Sequence, residues 1–138
     1  MTDASVYLVF NGNCADAMRF YNDVLGGKLE MRTHGESMPA EHVHPGMGDR
    51  IIHARLDLNK TVIMASDGMP DQEETMSGFS VSVNYNDPEE GRRVFEKLSA
   101  GGKVIMPYAK TFWSPGFGML KDKFGTPWMV NSESKEAR

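Results

Sequence analysis

A single cysteine, Cys14, in 138 residues excludes an internal disulfide framework and fits a cytoplasmic setting. Lysine and arginine form no cluster, and the net charge is −4 with a pI near 5.5. The basic face that nucleic acid requires is therefore missing. Apolar runs end after a few residues, far short of a membrane span, and the N-terminus shows no signal-peptide pattern. There is no Ser-His-Asp signature, no phosphate-cradling loop and no glycine-rich strand-to-helix loop for a nucleotide-type cofactor. These absences leave a soluble cytoplasmic protein with no nucleic-acid or membrane partner, and they call for no cofactor.

What is present is ordinary for a globular domain: 40% apolar residues and 25% charged, in a chain long enough for one sizeable core. The eleven methionines are many for this length. Some serve as core filler, but flexible thioethers also suit adaptable pockets.

Residues 110–131, KTFWSPGFGMLKDKFGTPWMVN, interleave large aromatics with glycine and proline, which excludes a helix. They read as a loop through Ser114 and Pro115, a strand over 116–120, a turn through 122–125 and a strand over 126–131. Such a hairpin either completes a core or walls a small-molecule pocket.

Upstream, residues 5–11 read as a strand. Asn13 is placed to cap a helix with Asp16 in a variant capping box. Its apolar stripe is Ala17, Phe20, Tyr21, Val24 and Leu25. Gly26 and Gly27 stop the helix, and 28–33 is a second strand. Residues 34–49 carry no periodicity and read as a long loop. Residues 50–58 alternate, with Ile52, Ala54, Leu56 and Leu58 on one face and Ile51, His53, Arg55 and Asp57 on the other. Asn59 and Lys60 turn the chain into a strand over 61–66, and 67–78 reads as a linker.

The second half repeats the first. A strand over 79–86 leads into a helix opened by Asp87, Pro88 and two acids, with Val94, Phe95 and Leu98 as its stripe. Gly101 and Gly102 end it, and 103–106 is the next strand. A shift of 75 residues superposes Ser5/Ser80, Val6/Val81, Asn11/Asn86, Phe20/Phe95, Gly26/Gly101, Gly27/Gly102, Lys28/Lys103 and Met31/Met106. The implied fold is α+β, with two βαβββ modules in tandem and a ligand cleft between the duplicated halves.

This repeat, with FNGNCADAMRFYNDVLGG, IIHARLDL and FWSPGFGMLKDKFGTPWMVN, resembles the vicinal oxygen chelate superfamily, which includes glyoxalase I, bleomycin-resistance proteins and extradiol dioxygenases. Within it the chain is most similar to the PhnB-like group; Lys123 stands where the turn often has proline. The resemblance implies a single domain over 1–138, with module one about 1–68 and module two about 76–133. It further implies a U-shaped, mostly antiparallel eight-stranded sheet with helices on its convex face, and a homodimer. Some relatives carry the name demethylubiquinone methyltransferase, which the sequence, without a cofactor loop, does not support.

Metal-dependent relatives hold a divalent ion with His and Glu from the first and last strands of each module. The corresponding slots fall on Val6, Met64, Ser80 or Val81, and Met129, and none is a His or carboxylate. The conventional metal site is expected to be absent. Among other candidates, His53 shares a strand face with Arg55, a pairing suited to an anionic or enolisable substrate if it is not simply a hydrogen-bonded cavity residue. His42 and His44 offer a non-standard metal site, in a loop without partners. His34 has no motif around it. Cys14, in the first helical turn, gains thiolate character from the helix dipole but has no partner base in sequence, which favours a bland, partly buried thiol. Glu73 and Glu74, like Glu89 and Glu90, read as solvated charge.

The leading expectation is a small-molecule binding protein with an apolar pocket built from Tyr7, Met64, Trp113, Phe117, Trp128 and Met129. Ser80, Ser82, Asn84 and Asn131 supply polar groups, and His53 and Arg55 form the rim. Strand alternation separates Trp128 from Met129 and Asn131: if that pair faces the cavity, Trp128 faces away. The alternatives are an isomerase or lyase with His53 as the catalytic proton-transfer group, and a metal-dependent enzyme with a non-standard site.

Overall fold

The computed structural model describes residues 2–43, 45–70, 73 and 75–133. The chain divides into two compact units, Met1–Glu74 and Thr75–Arg138.

In the first unit, β1 (Val6–Phe10) leads into α1 (Cys14–Leu25), followed by β2 (Lys28–Thr33), the short α2 (His34–Ser37), β3 (Ile51–Asp57) and β4 (Val62–Asp67). The sheet order is β1-β4-β3-β2, with β1 parallel to β4 and the other pairs antiparallel. Helix α1 packs on one face through Cys14, Ala17, Met18 and Tyr21. Against them lie Leu8, Phe10, Ala54, Leu56, Ile63 and Ala65, all at most 2% exposed. Phe20, Val24 and Leu25 of the expected stripe are only half-buried. Met18 takes a core place instead, because its flexible side chain fills the space.

The start of α1 departs from the expected cap. Asn13 makes no side-chain cap hydrogen bond. Asp67, at the end of β4, supplies it from across the module: its Oδ1 accepts from Gly12 N at 2.9 Å and Cys14 N at 3.0 Å, and its Oδ2 accepts from Ile51 N at 2.9 Å. This carboxylate, 7% exposed, also explains Ile51. That residue is buried rather than paired with His53's face, because its backbone is drawn to Asp67 where the β2–β3 register shifts. Residues 34–49 hold more structure than expected. Thr33 and Glu36 form a full capping box over α2, and Ala40–His42 makes a 3-10 turn. Periodicity failed there because a single helical turn is too short to show it.

In the second unit, β5 (Val81–Tyr85), α3 (Pro88–Ser99), β6 (Lys103–Ala109), β7 (Gly116–Lys121) and β8 (Pro127–Ser132) repeat the pattern. The order is β5-β8-β7-β6, again with the first pair parallel. The eight expected strands thus fall into two hydrogen-bonded sheets of four. Helix α3 is capped as expected, with Asp87 Oδ1 accepting from Glu89 N at 3.0 Å and Pro88 in the first turn. It buries Gly91, Val94, Phe95 and Leu98 on the sheet. Strand β6 runs on through Pro107 to Ala109, which an edge strand permits because one side of its backbone has no partner. Tyr108 reaches inward from it: its hydroxyl donates to Pro88 O at 2.8 Å and lies 2.6 Å from Ser132 Oγ. A Cβ at Gly91 or Gly116 would land on that hydroxyl.

Asp67→Asn tests the cross-module cap. One of its two oxygens becomes an amide that meets N–H donors, and leaving buried donors unpaired costs about 1–3 kcal/mol. The urea midpoint should fall accordingly with the slope unchanged; an unchanged midpoint would show that the carboxylate does not hold these segments.

Candidate functional site

Each sheet has one face under its helix and one that its helix does not cover. Strand alternation and register decide which side chains stand on the uncovered face. In the first sheet one row across the strands is Tyr7, Met64, Arg55 and Glu30. His53, exposed and paired in register with Arg32, stands beside it. Tyr7 is 46% exposed, and its ring lies 6.1 Å from that of His53, centroid to centroid. Arg55 makes a loose ion pair with Asp57 at 3.9 Å, both half-exposed, so it contributes little stability and stays available to a ligand. The His53 imidazole makes no hydrogen bond to any described residue.

In the second sheet the matching row is Ser82, Met129, Met119 and Met106. Beside it runs Asn84, Asn131, Phe117 and Ala109. Trp113, 54% exposed in the β6–β7 connection, meets Phe117 edge-on with centroids 5.5 Å apart. Thr111 Oγ1 fixes that connection by accepting from Ser114 N at 3.1 Å.

The expected pocket residues therefore separate. Tyr7, Met64, Arg55 and His53 share the uncovered face of the first sheet; Ser82, Phe117 and Met129 share that of the second. Ser80 lies half-buried just before β5. Trp128 does not belong with them. It is 0% exposed on the helix side, and its indole N–H donates to Asp122 Oδ2 at 2.8 Å. Asp122 also accepts from Phe124 N and Thr126 N, which holds the β7–β8 turn. Core packing took this aromatic because alternation opposes it to Met129.

The register also corrects the slot in β1. Val6 pairs with Ile63 and points to the helix side, so the neighbour of Met64 is Tyr7. In the second sheet Val81 is buried and pairs with Trp128, so the neighbour of Met129 is Ser82. The outward-facing residues at the slots on the first and last strands are thus Tyr7, Met64, Ser82 and Met129. Two thioethers, a phenol and an alcohol do not fit a divalent ion that takes imidazole nitrogen and carboxylate oxygen. Among the described residues no three His, Cys, Asp or Glu side chains converge to hold a metal. His42 is exposed on the 3-10 turn beside Glu41, and His44 lies outside the described residues. Glu73 is exposed, and Glu74 is outside the described residues.

Residues 5–130 match the family model of the glyoxalase/bleomycin resistance protein/dioxygenase superfamily. The chain belongs to that superfamily. Among curated relatives of this superfamily chain, protein YjdN of Escherichia coli K12 is 40% identical over 136 residues, 92% of each chain. The crystal structure of PA1353 from Pseudomonas aeruginosa is 42% identical, with a TM-score of 0.88 over 98% of this chain and 100% of that one. A Bacillus cereus structure titled as a putative 3-demethylubiquinone-9 3-methyltransferase, PhnB protein, is 28% identical with a TM-score of 0.77, covering 95% and 99%. No helix among the described residues is long and apolar enough to cross a membrane.

Cys14 behaves differently from a helix-start thiolate. It is 0% exposed; burial first, and then the Asp67 charge, push its thiol from 9.0 up to about 12. The thiol should resist disulfide reagents at pH 8 in the folded protein and react fully in urea. The unfolded thiol titrates first, so this residue's contribution to stability is complete below pH 9 and is lost as pH rises toward about 12. Rapid labelling of native protein would contradict this assignment.

Proposed function

We propose that this superfamily member is a small-molecule binding protein that works without the conventional metal ligands, using the uncovered faces of its two sheets. The observation that carries the reading is the row equivalence. Met64 and Met129 stand at matching places beside Tyr7 and Ser82, where metal-dependent relatives need His and Glu. In the second sheet the soft, adaptable thioethers of Met119 and Met129, in the row beside Phe117, suit a flat apolar ligand. Of the expected ligand residues, Tyr7, Arg55, Met64, Ser82, Trp113, Phe117 and Met129 remain in this proposal, with Ser80 at the margin. A homodimer in the cytoplasm belongs to the same reading. The edge strand β6 leaves Val104, Ile105 and Met106 exposed, an apolar edge that a second chain would cover.

A thermal-shift panel separates the possibilities. Zn²⁺, Ni²⁺ and Mn²⁺ should leave the melting temperature within about 1 °C, whereas a flat organic ligand at a hundredfold its Kd should raise it by roughly 8 °C. A rise of that size with a divalent ion alone would remove the metal-free reading.

One observation keeps an enzymatic reading alive. His53 is exposed, its imidazole makes no hydrogen bond to any described residue, and it has Arg32 as its register partner with Arg55 two residues along the same strand face. An imidazole beside guanidinium groups suits proton abstraction next to the carbonyl of an anionic substrate. In D₂O, simple 2-oxo acids should then exchange their C3 protons faster with the protein than without it, and His53→Gln should reduce the protein-dependent rate by about 10²-fold or more. Exchange unaffected by the substitution would end this reading.

A further inference from the structure

The row formed by Asn84, Asn131 and Phe117 sets two carboxamides beside an aromatic ring on the uncovered face of the second sheet. Asn131 Nδ2 donates to Asn84 Oδ1 at 3.3 Å. Two complementary functions are left over. Asn131 Oδ1 is buried and accepts no hydrogen bond among the described residues, and Asn84 Nδ2 donates to none of them. Buried carbonyl oxygens are rarely left in this condition, and a native exception asks for an explanation. On its other side Asn131 is paired with Phe117, whose ring is braced edge-on by Trp113. The thioethers of Met119 and Met129 lie in the adjoining row. The matching row of the first sheet includes Val9, Ser66 and His53 and has no carboxamide, so this feature belongs to one module alone.

We propose that this row is a subsite for flat molecules that carry an N–H donor next to a carbonyl acceptor, the edge shown by a primary carboxamide or a lactam. The ligand N–H donates to Asn131 Oδ1, and its carbonyl accepts from Asn84 Nδ2. Its ring rests on Phe117 and the two thioethers. The inference rests on the reading that an uncovered sheet face holds a small molecule, and it adds the chemistry that this face selects. A carboxylate is disfavoured, because at neutral pH it has no N–H and places a second acceptor against Asn131 Oδ1. A ketone of the same shape satisfies one of the two carboxamides and leaves the other unanswered.

The test is an NMR titration of the full chain with benzamide, acetophenone and benzoate, three compounds with one ring and different hydrogen-bonding edges. The signals followed are the side-chain amides of Asn84 and Asn131 and the methyls of Met119 and Met129. Benzamide should move all four and bind about tenfold tighter than acetophenone, the difference expected for one hydrogen bond to a buried partner. Asn131→Leu should bring that ratio to about one while the methionine methyls still respond. Equal affinity of the wild-type chain for benzamide and acetophenone, with methionine shifts present, would overturn the carboxamide subsite and leave sheet-face binding standing. No response of these four signals, nor of the Met64 methyl on the first sheet, to any of the three would overturn both. The wild-type ratio decides the matter even if the variant fails to fold.

Discussion

Asp67 ties together three stretches of the first module that are far apart in sequence. One of its oxygens takes the amides that open α1, and the other takes the first amide of β3. Because the residue itself ends β4, the same contact fixes where β1 and β4 stop and where β3 starts relative to the helix. A buried carboxylate needs donors for its oxygens once water is excluded, and here those donors are backbone amides that would otherwise be orphaned at a helix start. The alternation of each strand is thereby anchored, and with it the choice of side chains that stand away from α1. The outward placement of Tyr7, His53, Arg55 and Met64 depends on that register.

The second module solves the same packing problem with hydroxyls. Ser132 occupies the end of β8 as Asp67 does the end of β4, and its Oγ meets the Tyr108 hydroxyl rather than backbone amides. Ser114 Oγ donates to Ser132 O at 2.6 Å. No cross-module carboxylate is needed, because Asp87 caps α3 locally. The glycines at 91 and 116 make room for Tyr108. A duplicated fold has thus kept its topology while exchanging an ionic anchor for a neutral one.

The exposed rows diverged further than the anchors. Where the first sheet presents Tyr7, Met64, Arg55 and Glu30, the second presents Ser82, Met129, Met119 and Met106. One surface is charged and carries an imidazole; the other is apolar, with two carboxamides. Side chains under a helix are constrained by close packing, whereas those on the far face answer only to a ligand or to water. Divergence therefore collected on the face where chemistry is available.

Much of this was legible in the sequence by itself. The module repeat, the α3 stripe of Val94, Phe95 and Leu98, the Asp87 cap, the glycine stops and the shared face of His53 and Arg55 all follow from short-range patterns, because periodicity and capping are local physics. Tertiary structure decided the rest. The cap in which Asp67 accepts from Gly12 N and Cys14 N spans more than fifty residues, which no window along the chain can reveal. Whether Val6 or Tyr7 stands beside Met64, and whether Trp128 is pocket or core, turns on a single-residue register, and in a strand one residue is the difference between the two faces. The sequence determined which strands exist and how they alternate; pairing between strands distant in sequence determined which of their faces was buried.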